Sequence, residues 1–202
     1  MPSEYKFIVD TMLGDLARWL RILGYDTVYS RIYSDREVLE LAFLGGRVLI
    51  TRDGGLHRKA VKMGVKSVLV ESTIIEERLA EASVKLGIDL IVNPEKSRCP
   101  ECNGVLERVE DKSLVKDRVP PNALNSYDVF YLCVKCGKAY WEGSHWRNIR
   151  KVIDEARRLA EEYRKAYRPR KIKSKKGFGG GAFKDKNAPS NVGADTEAGK
   201  QA

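Results

Sequence analysis

Over the first ninety residues, short apolar runs alternate with stretches in which apolar residues recur every three or four positions. Lys6-Phe7-Ile8-Val9 is a short run ending at Asp10, the pattern of a buried strand. Leu13, Leu16, Ala17, Leu20 and Leu23 follow at helical spacing, and Gly24 stands where a helix-ending glycine belongs. Thr27-Val28-Tyr29 reads as a second strand. Ser34 is placed to cap a helix whose stripe is Val38, Leu41, Ala42 and Leu44, with Glu37 completing a capping box and Gly45-Gly46 ending it. Arg47–Thr51 is the next strand, and Asp53-Gly54-Gly55 opens a helix to about Met63. Ser67–Val70 and a helix from Ile75 to Leu86 complete the pattern. Strands separated by helices of about ten to twelve residues predict a parallel sheet with helices on its faces, an α/β domain over residues 1–93.

Asn93-Pro94 marks a boundary. Beyond it, Cys99-Pro-Glu-Cys102 and Cys133-Val-Lys-Cys136 are separated by 30 residues. Each CxxC turn aims two thiolates at one point, and two turns saturate a tetrahedral Zn²⁺. A saturated ion holds structure and leaves no open position for catalysis. Cys99, Cys102, Cys133 and Cys136 are therefore expected to ligate a structural zinc in a small ribbon spanning 97–146, which would scarcely fold without its metal. Gly104 and Gly137 suit the tight turns after each pair. His145 is a spare potential ligand where four cysteines already suffice. Tyr127, Phe130, Tyr131, Tyr140, Trp141 and Trp146 read mainly as the core of this small domain, with surface roles open for Trp141, His145 and Trp146.

Ile149, Val152, Ile153, Ala156, Leu159, Ala160 and Tyr163 then outline an amphipathic helix over 147–167. From 168 to 202 the chain is Lys-rich, then rich in Gly, Ala, Ser and Asn without an apolar period, the composition of a disordered tail.

Composition narrows the class. Hydrophobic residues make up 43%, ordinary for a folded protein, and no apolar run approaches the roughly 20 residues that cross a bilayer. The N-terminus lacks the pattern of a signal peptide, so a cytoplasmic protein without membrane contact is expected, and paired cysteines in a reducing compartment read as metal ligands. The net charge of +9 is localised: residues 147–176 hold 13 basic and four acidic residues, and the remainder of the chain is balanced. Such a cluster is an electrostatic footprint for phosphate, which makes Arg147, Arg150, Lys151, Arg157 and Arg158 candidate nucleic-acid contacts. A solvated, solubilising surface is the plainer reading.

Three aspartates occupy related places. Asp10 follows the first strand, Asp35 begins the helix after the second, and Asp53 follows Thr51. Ligands collect at the carboxyl ends of strands in open parallel sheets. Carboxylates gathered there repel one another unless a cation sits among them. Mg²⁺ or Mn²⁺ favours oxygen ligands and retains water that can become a nucleophile, chemistry suited to phosphodiester hydrolysis. Each acid also has a simpler use: Asp53 in shaping a turn, Asp35 in answering a helix dipole. Glu37 is better explained by its capping box. Glu71 either completes an acidic ring or is a solvated loop residue. Thr51 and Arg52 could orient a carboxylate or hold a phosphate, and His57 reads as a helix-surface residue.

The stretch from Phe7-Ile8-Val9-Asp10 through Leu-Ala-Arg-Trp-Leu-Arg-Ile-Leu-Gly-Tyr-Asp26 resembles the opening of the Mut7-C RNase domain. Thr51-Arg52-Asp53 resembles its second acidic block. The two CxxC segments and Tyr140-Trp141-Glu-Gly-Ser-His145-Trp146 resemble its zinc ribbon. The resemblance covers residues 5–150 and implies a PIN-like α/β fold, a metal-dependent ribonuclease activity and a C-terminal ribbon. By position it places Asp10, Asp35 and Asp53 at the acidic centre, Asp35 least securely. Asp15 departs from the basic residue expected in the helix-start motif, which affects substrate contact there rather than the acidic centre.

The resulting expectation is a Mg²⁺- or Mn²⁺-dependent endoribonuclease acting on RNA, single-stranded in preference to duplex because its bases and phosphates are accessible. DNA is not excluded. The rival is a non-catalytic nucleic-acid-binding module or ribonucleoprotein subunit, supported by the basic segment and the ribbon.

Overall fold

β1 (Lys6–Val9), β2 (Asp26–Val28), β3 (Val48–Thr51) and β4 (Ser67–Leu69) form one parallel sheet in the order β2-β1-β3-β4. They are seen in a computed structural model that describes residues 5–166; the expected tail at 168–202 lies outside the described residues. Phe7 pairs with Thr27 and Val48, and Ile8 with Val28 and Leu49. Side chains alternate across this register. Phe7, Val9, Val48 and Ile50 enter one core with α1 (Gly14–Ile22) and α4 (Ile75–Leu86). Ile8 and Leu49 enter another with α2 (Asp35–Leu44) and α3 (Gly54–Lys62). The central strands are covered on both faces, which is why β1 and β3 read as continuous apolar runs.

Local signals act where the pattern places them. Ser34 accepts from the Glu37 amide while the Glu37 carboxylate accepts from the Ser34 amide, a complete capping box. Gly24 takes φ +94°, and a Cβ there would lie 2.7 Å from the Lys96 carbonyl oxygen.

The connections reverse at the centre of the sheet. The chain leaves β1 toward β2 by α1 on one face and reaches β3 by α2 on the other, so the strand order reverses between β1 and β3. The crevice beyond their carboxyl ends is the topological switch point, where open α/β sheets bind ligands.

The second half builds an antiparallel sheet, β5 (Leu106–Val109), β6 (Phe130–Cys133) and β7 (Ala139–Tyr140), in that order. Between β5 and β6 the long connection carries a short helix, α5 (Pro121–Ser126), with Pro121 in the first turn where its missing N–H costs nothing. Val109, Val115, Val119, Phe130 and Ala139 form its modest core, with Trp141 packed against them.

α6 (His145–Ala166) then returns to the first half, burying Ile153, Ala156 and Ala160 against α4. The apolar stripe read from sequence is therefore part of the main core. Among the described residues, no helix is long and apolar enough to cross a membrane.

Candidate active site and metal centre

Asp10 is fixed at the end of β1. Its amide donates to the Ile50 carbonyl, extending the pairing with β3 by one residue. One carboxylate oxygen, Oδ1, accepts from the Thr11 amide at 2.6 Å; the other, Oδ2, accepts from the Thr51 hydroxyl at 2.7 Å. Asp10 is 6% exposed and Thr51 is fully buried. A buried carboxylate is tolerable here because both oxygens have donors.

Thr51 also joins Asp10 to Asp53. Its Oγ1 accepts from the Asp53 amide at 2.9 Å while its proton goes to Asp10. Asp53 caps α3: Oδ1 accepts from the Gly55 and Leu56 amides, at 2.5 and 3.0 Å. Those amides, with help from Lys59 and Arg58, hold Asp53 below the usual carboxylate range. The capping leaves Oδ2 without a hydrogen bond among the described residues. Capping and ligation are thus compatible.

Asp35 lies at the first turn of α2, half exposed, in an ion pair with Lys59 of α3 at 3.2 Å. Lys59 is thus shared between the Asp35 and Asp53 sides of the crevice. The structure brings Asp10 and Asp53 together through Thr51, but the three aspartates do not form a ready metal cluster among the described residues. Glu37 is spent in its capping box, and Ser34 holds its carboxyl below the ordinary value. Glu71 is exposed beyond β4, its amide bound by Glu81. His57 lies on α3 with Nδ1 2.9 Å from the Ser67 hydroxyl.

Beside the acidic pair opens a cleft of about 650 Å³. Its walls come from Thr11 and Met12 after β1, Tyr29 and Arg31 after β2, Arg52 after β3, and α1. Pro100 and Glu101 of the first CxxC turn close it. Arg18, Arg21, Arg31, Arg52 and Arg78 all line it. These five arginines come from four segments in a stretch of balanced net charge, so charge counting along the chain missed them. Arg18 and Arg21, one helical turn apart on α1, were the one local hint. Tyr29 closes over α1 so tightly that a Cβ on Gly14 would collide with its phenol.

The four cysteine sulfurs lie within 4.8 Å of one another. The Cys99–Cys136 and Cys102–Cys133 pairs are 3.7 and 3.4 Å apart, close to the spacing of about 3.8 Å set by Zn–S bonds of about 2.3 Å in a tetrahedron. The Tyr140 hydroxyl, 3.1 Å from the Cys99 sulfur, is placed to donate to a thiolate. Burial and neighbouring thiols push Cys102 up to about 12, whereas backbone N–H groups overcome burial to bring Cys133 down to about 7. Four packed sulfurs cannot all ionise without a cation, so the donor set fits one zinc ion. His145 stands apart from this cluster, edge-on to Trp141.

The basic helix is less free than its composition implies. Arg158 pairs with Glu155 and Glu162, Arg157 with Asp154 and the Leu90 carbonyl, and Arg150 with Glu142. Arg147 and Lys151 are exposed beside Ser144, His145 and Asn148 near the start of α6.

The Mut7-C RNAse domain model matches residues 5–153. Comparisons with curated proteins and with solved structures returned no match.

Proposed function

Because the chain belongs to the Mut7-C RNase domain family, we propose that it is a PIN-like, divalent-metal-dependent endoribonuclease that cleaves single-stranded RNA at the β1–β3 crevice. The observation that carries this reading is Asp10, a buried carboxylate held at the switch point by Thr51, which also positions Asp53. The donor set is of the type a hard cation takes: Asp10 and Asp53 would hold it, Asp53 through its free Oδ2, and Asp35, paired with Lys59, is the third carboxylate this reading assigns. A bound Mg²⁺ or Mn²⁺ supplies Lewis acidity at the scissile phosphate and lowers the pKa of its water. Asp10 and Asp53 are already hydrogen-bonded in place and would present their oxygens to such an ion with little reorganisation, and such preorganisation is a main source of rate enhancement. Arginines in the adjoining cleft neutralise phosphate charge. The ribbon carries one structural zinc on Cys99, Cys102, Cys133 and Cys136.

The separation of the three aspartates favours the second reading, a binding module without hydrolysis. One assay decides between them. Labelled single-stranded RNA is incubated with the protein and Mg²⁺ or Mn²⁺, alongside Asp10→Asn and Asp53→Asn. Hydrolysis predicts metal-dependent internal cleavage that each variant lowers by at least a hundredfold, about 2.7 kcal/mol of barrier. No cleavage, or equal cleavage by the variants, leaves the binding module. The same assay with DNA of matching sequence tests whether the 2′-hydroxyl matters.

A further inference from the structure

We infer that the arginine cleft, rather than the basic face of α6, is the groove that grips the RNA backbone, and that Arg31 and Arg52 are its phosphate contacts. This rests on the reading that the chain acts on RNA, and it names where the strand lies and what holds it.

The five arginines are not equivalent. Arg21 is buried, and its guanidinium is spent on backbone oxygens: Nε donates to Thr27, Nη1 to Pro100 and Glu101. Arg78 is buried and pairs with Asp15 at 2.7 Å and the Thr73 carbonyl. Arg18 pairs with Glu101 at 3.2 Å. Arg31 and Arg52 are exposed and have no ion-pair or hydrogen-bond partner among the described residues. The cleft, which Asp15 and Glu101 also line, therefore contains three arginines held by its own walls and two exposed ones without a partner among the described residues.

Their placement matters as much as their freedom. Arg31 follows β2 and Arg52 follows β3, so they flank β1 and Asp10 at the carboxyl end of the sheet. Two guanidiniums straddling a carboxylate site can hold phosphates on either side of the bond to be cleaved, in the planar geometry that suits phosphate oxygens. About 650 Å³ is the size of a site for a small ligand, room for roughly two nucleotides of one strand. On α6, by contrast, Arg150, Arg157 and Arg158 are already paired with carboxylates.

The test measures binding separately from cleavage. Fluorescence anisotropy of a labelled uridine 12-mer is followed without added Mg²⁺ or Mn²⁺, using the full chain from 50 to 300 mM salt. Each single-strand phosphate contact contributes about 0.7 to the slope of log K against log salt, so Arg31→Ala/Arg52→Ala should flatten it by about 1.4. At 0.1 M salt the same relation gives a loss of about 25-fold in affinity. Arg147→Ala/Lys151→Ala should cost less than threefold. Both pairs are exposed, and unchanged melting curves confirm that the folds are intact. Equal losses from the two pairs, or a loss from the α6 pair alone, overturn the assignment. A protein that binds through Arg31 and Arg52 but never cleaves sinks the hydrolase and leaves this groove standing. One that cleaves normally without them sinks the groove alone.

Discussion

Asn103 links the first CxxC turn to the edge of the parallel sheet, and replacing it should loosen the whole molecule. It has φ +64°, unusual for a residue with a side chain, and Asn tolerates that conformation better than most. Its Oδ1 accepts from the buried Thr27 amide at 3.0 Å, and its Nδ2 donates to Asp26 at 2.7 Å. β2 is an edge strand, so no neighbouring strand can receive the Thr27 amide in its place. Asn103→Ala strands that amide, at about 1.5 kcal/mol, and removes a charge-assisted bond from Asp26, at about 1.5 kcal/mol. Placing Ala in the left-handed region adds about 1 kcal/mol. Arg98 loses little, because Nε also donates to the Asn103 carbonyl at 3.1 Å. The sum is about 4 kcal/mol, or a Tm lowered by roughly 12 °C for a domain of this size. Asn103→Gly relieves the backbone and should sit about 1 kcal/mol above the alanine variant. Urea denaturation of the zinc-loaded protein, followed by circular dichroism, measures both. A glycine variant within 1 kcal/mol of wild type would refute the reasoning, since it would show that the side-chain bonds contribute almost nothing.

Other consequences are as direct. Thr51→Val removes the hydroxyl between Asp10 and Asp53; RNA cleavage should fall at least tenfold and stability by about 2 kcal/mol, with Thr51→Ser recovering most of both. Burial raises the Asp26 pKa, but hydrogen bonds from Arg47 and Asn103 outweigh it and hold the group below 3.8. Its contribution is therefore present above that value and lost as pH falls through the lower folded-state pKa. The stability gap between wild type and Asp26→Asn, read from urea midpoints, should be constant from pH 7 to 5 and close toward pH 3; a gap independent of pH would show that ionisation is irrelevant. Cys133→Ser should lose zinc from the purified protein and expose the ribbon to proteolysis, whereas a normally folded zinc-free variant would remove the metal from the folding argument.

The elements of the α/β half were legible because each rests on a local rule. β1 and β3 are four-residue strands with three consecutive apolar residues each, α2 has a complete capping box, and α4 runs from Ile75 to Leu86 as its spacing dictates. The ribbon strands were not read: β7 is two residues long, and its register follows from the paired CxxC turns rather than from any period. α5 was hidden inside a proline-marked loop. Asp10, Asp53 and the cysteines were visible as residue types at the right places in the pattern. The arginine cleft was not, because its members lie between positions 18 and 78 and only the fold brings them together. The charge excess at 147–176 drew attention instead, yet six of its nine net charges lie at 168–176, outside the described residues, and within α6 Arg157 and Arg158 pair with the helix's own acids.

Arg21 shows why the cysteines and the aspartates belong to one arrangement. Its side chain comes from α1, in the same turn as Arg18, and its Nη1 donates to the carbonyls of Pro100 and Glu101, at 2.8 and 3.1 Å. Those residues lie between Cys99 and Cys102, so the turn that aims two sulfurs at the metal site also forms a wall of the cleft. The Arg98 amide donates to the Arg21 carbonyl, and Asn103 closes the other side of the same turn on β2. Short polar links, these among them, therefore fix the knuckle to the sheet edge. Such a junction is specific in direction, and its strength rests on a handful of bonds worth about 1 to 3 kcal/mol each. A small antiparallel sheet alone would not hold that turn rigid; a closed tetrahedral metal centre does. Zinc on this reading contributes to the RNA groove through shape: it fixes the Pro100–Glu101 wall against which α1 sets Arg18, and leaves the chemistry to the carboxylates of the β1–β3 crevice.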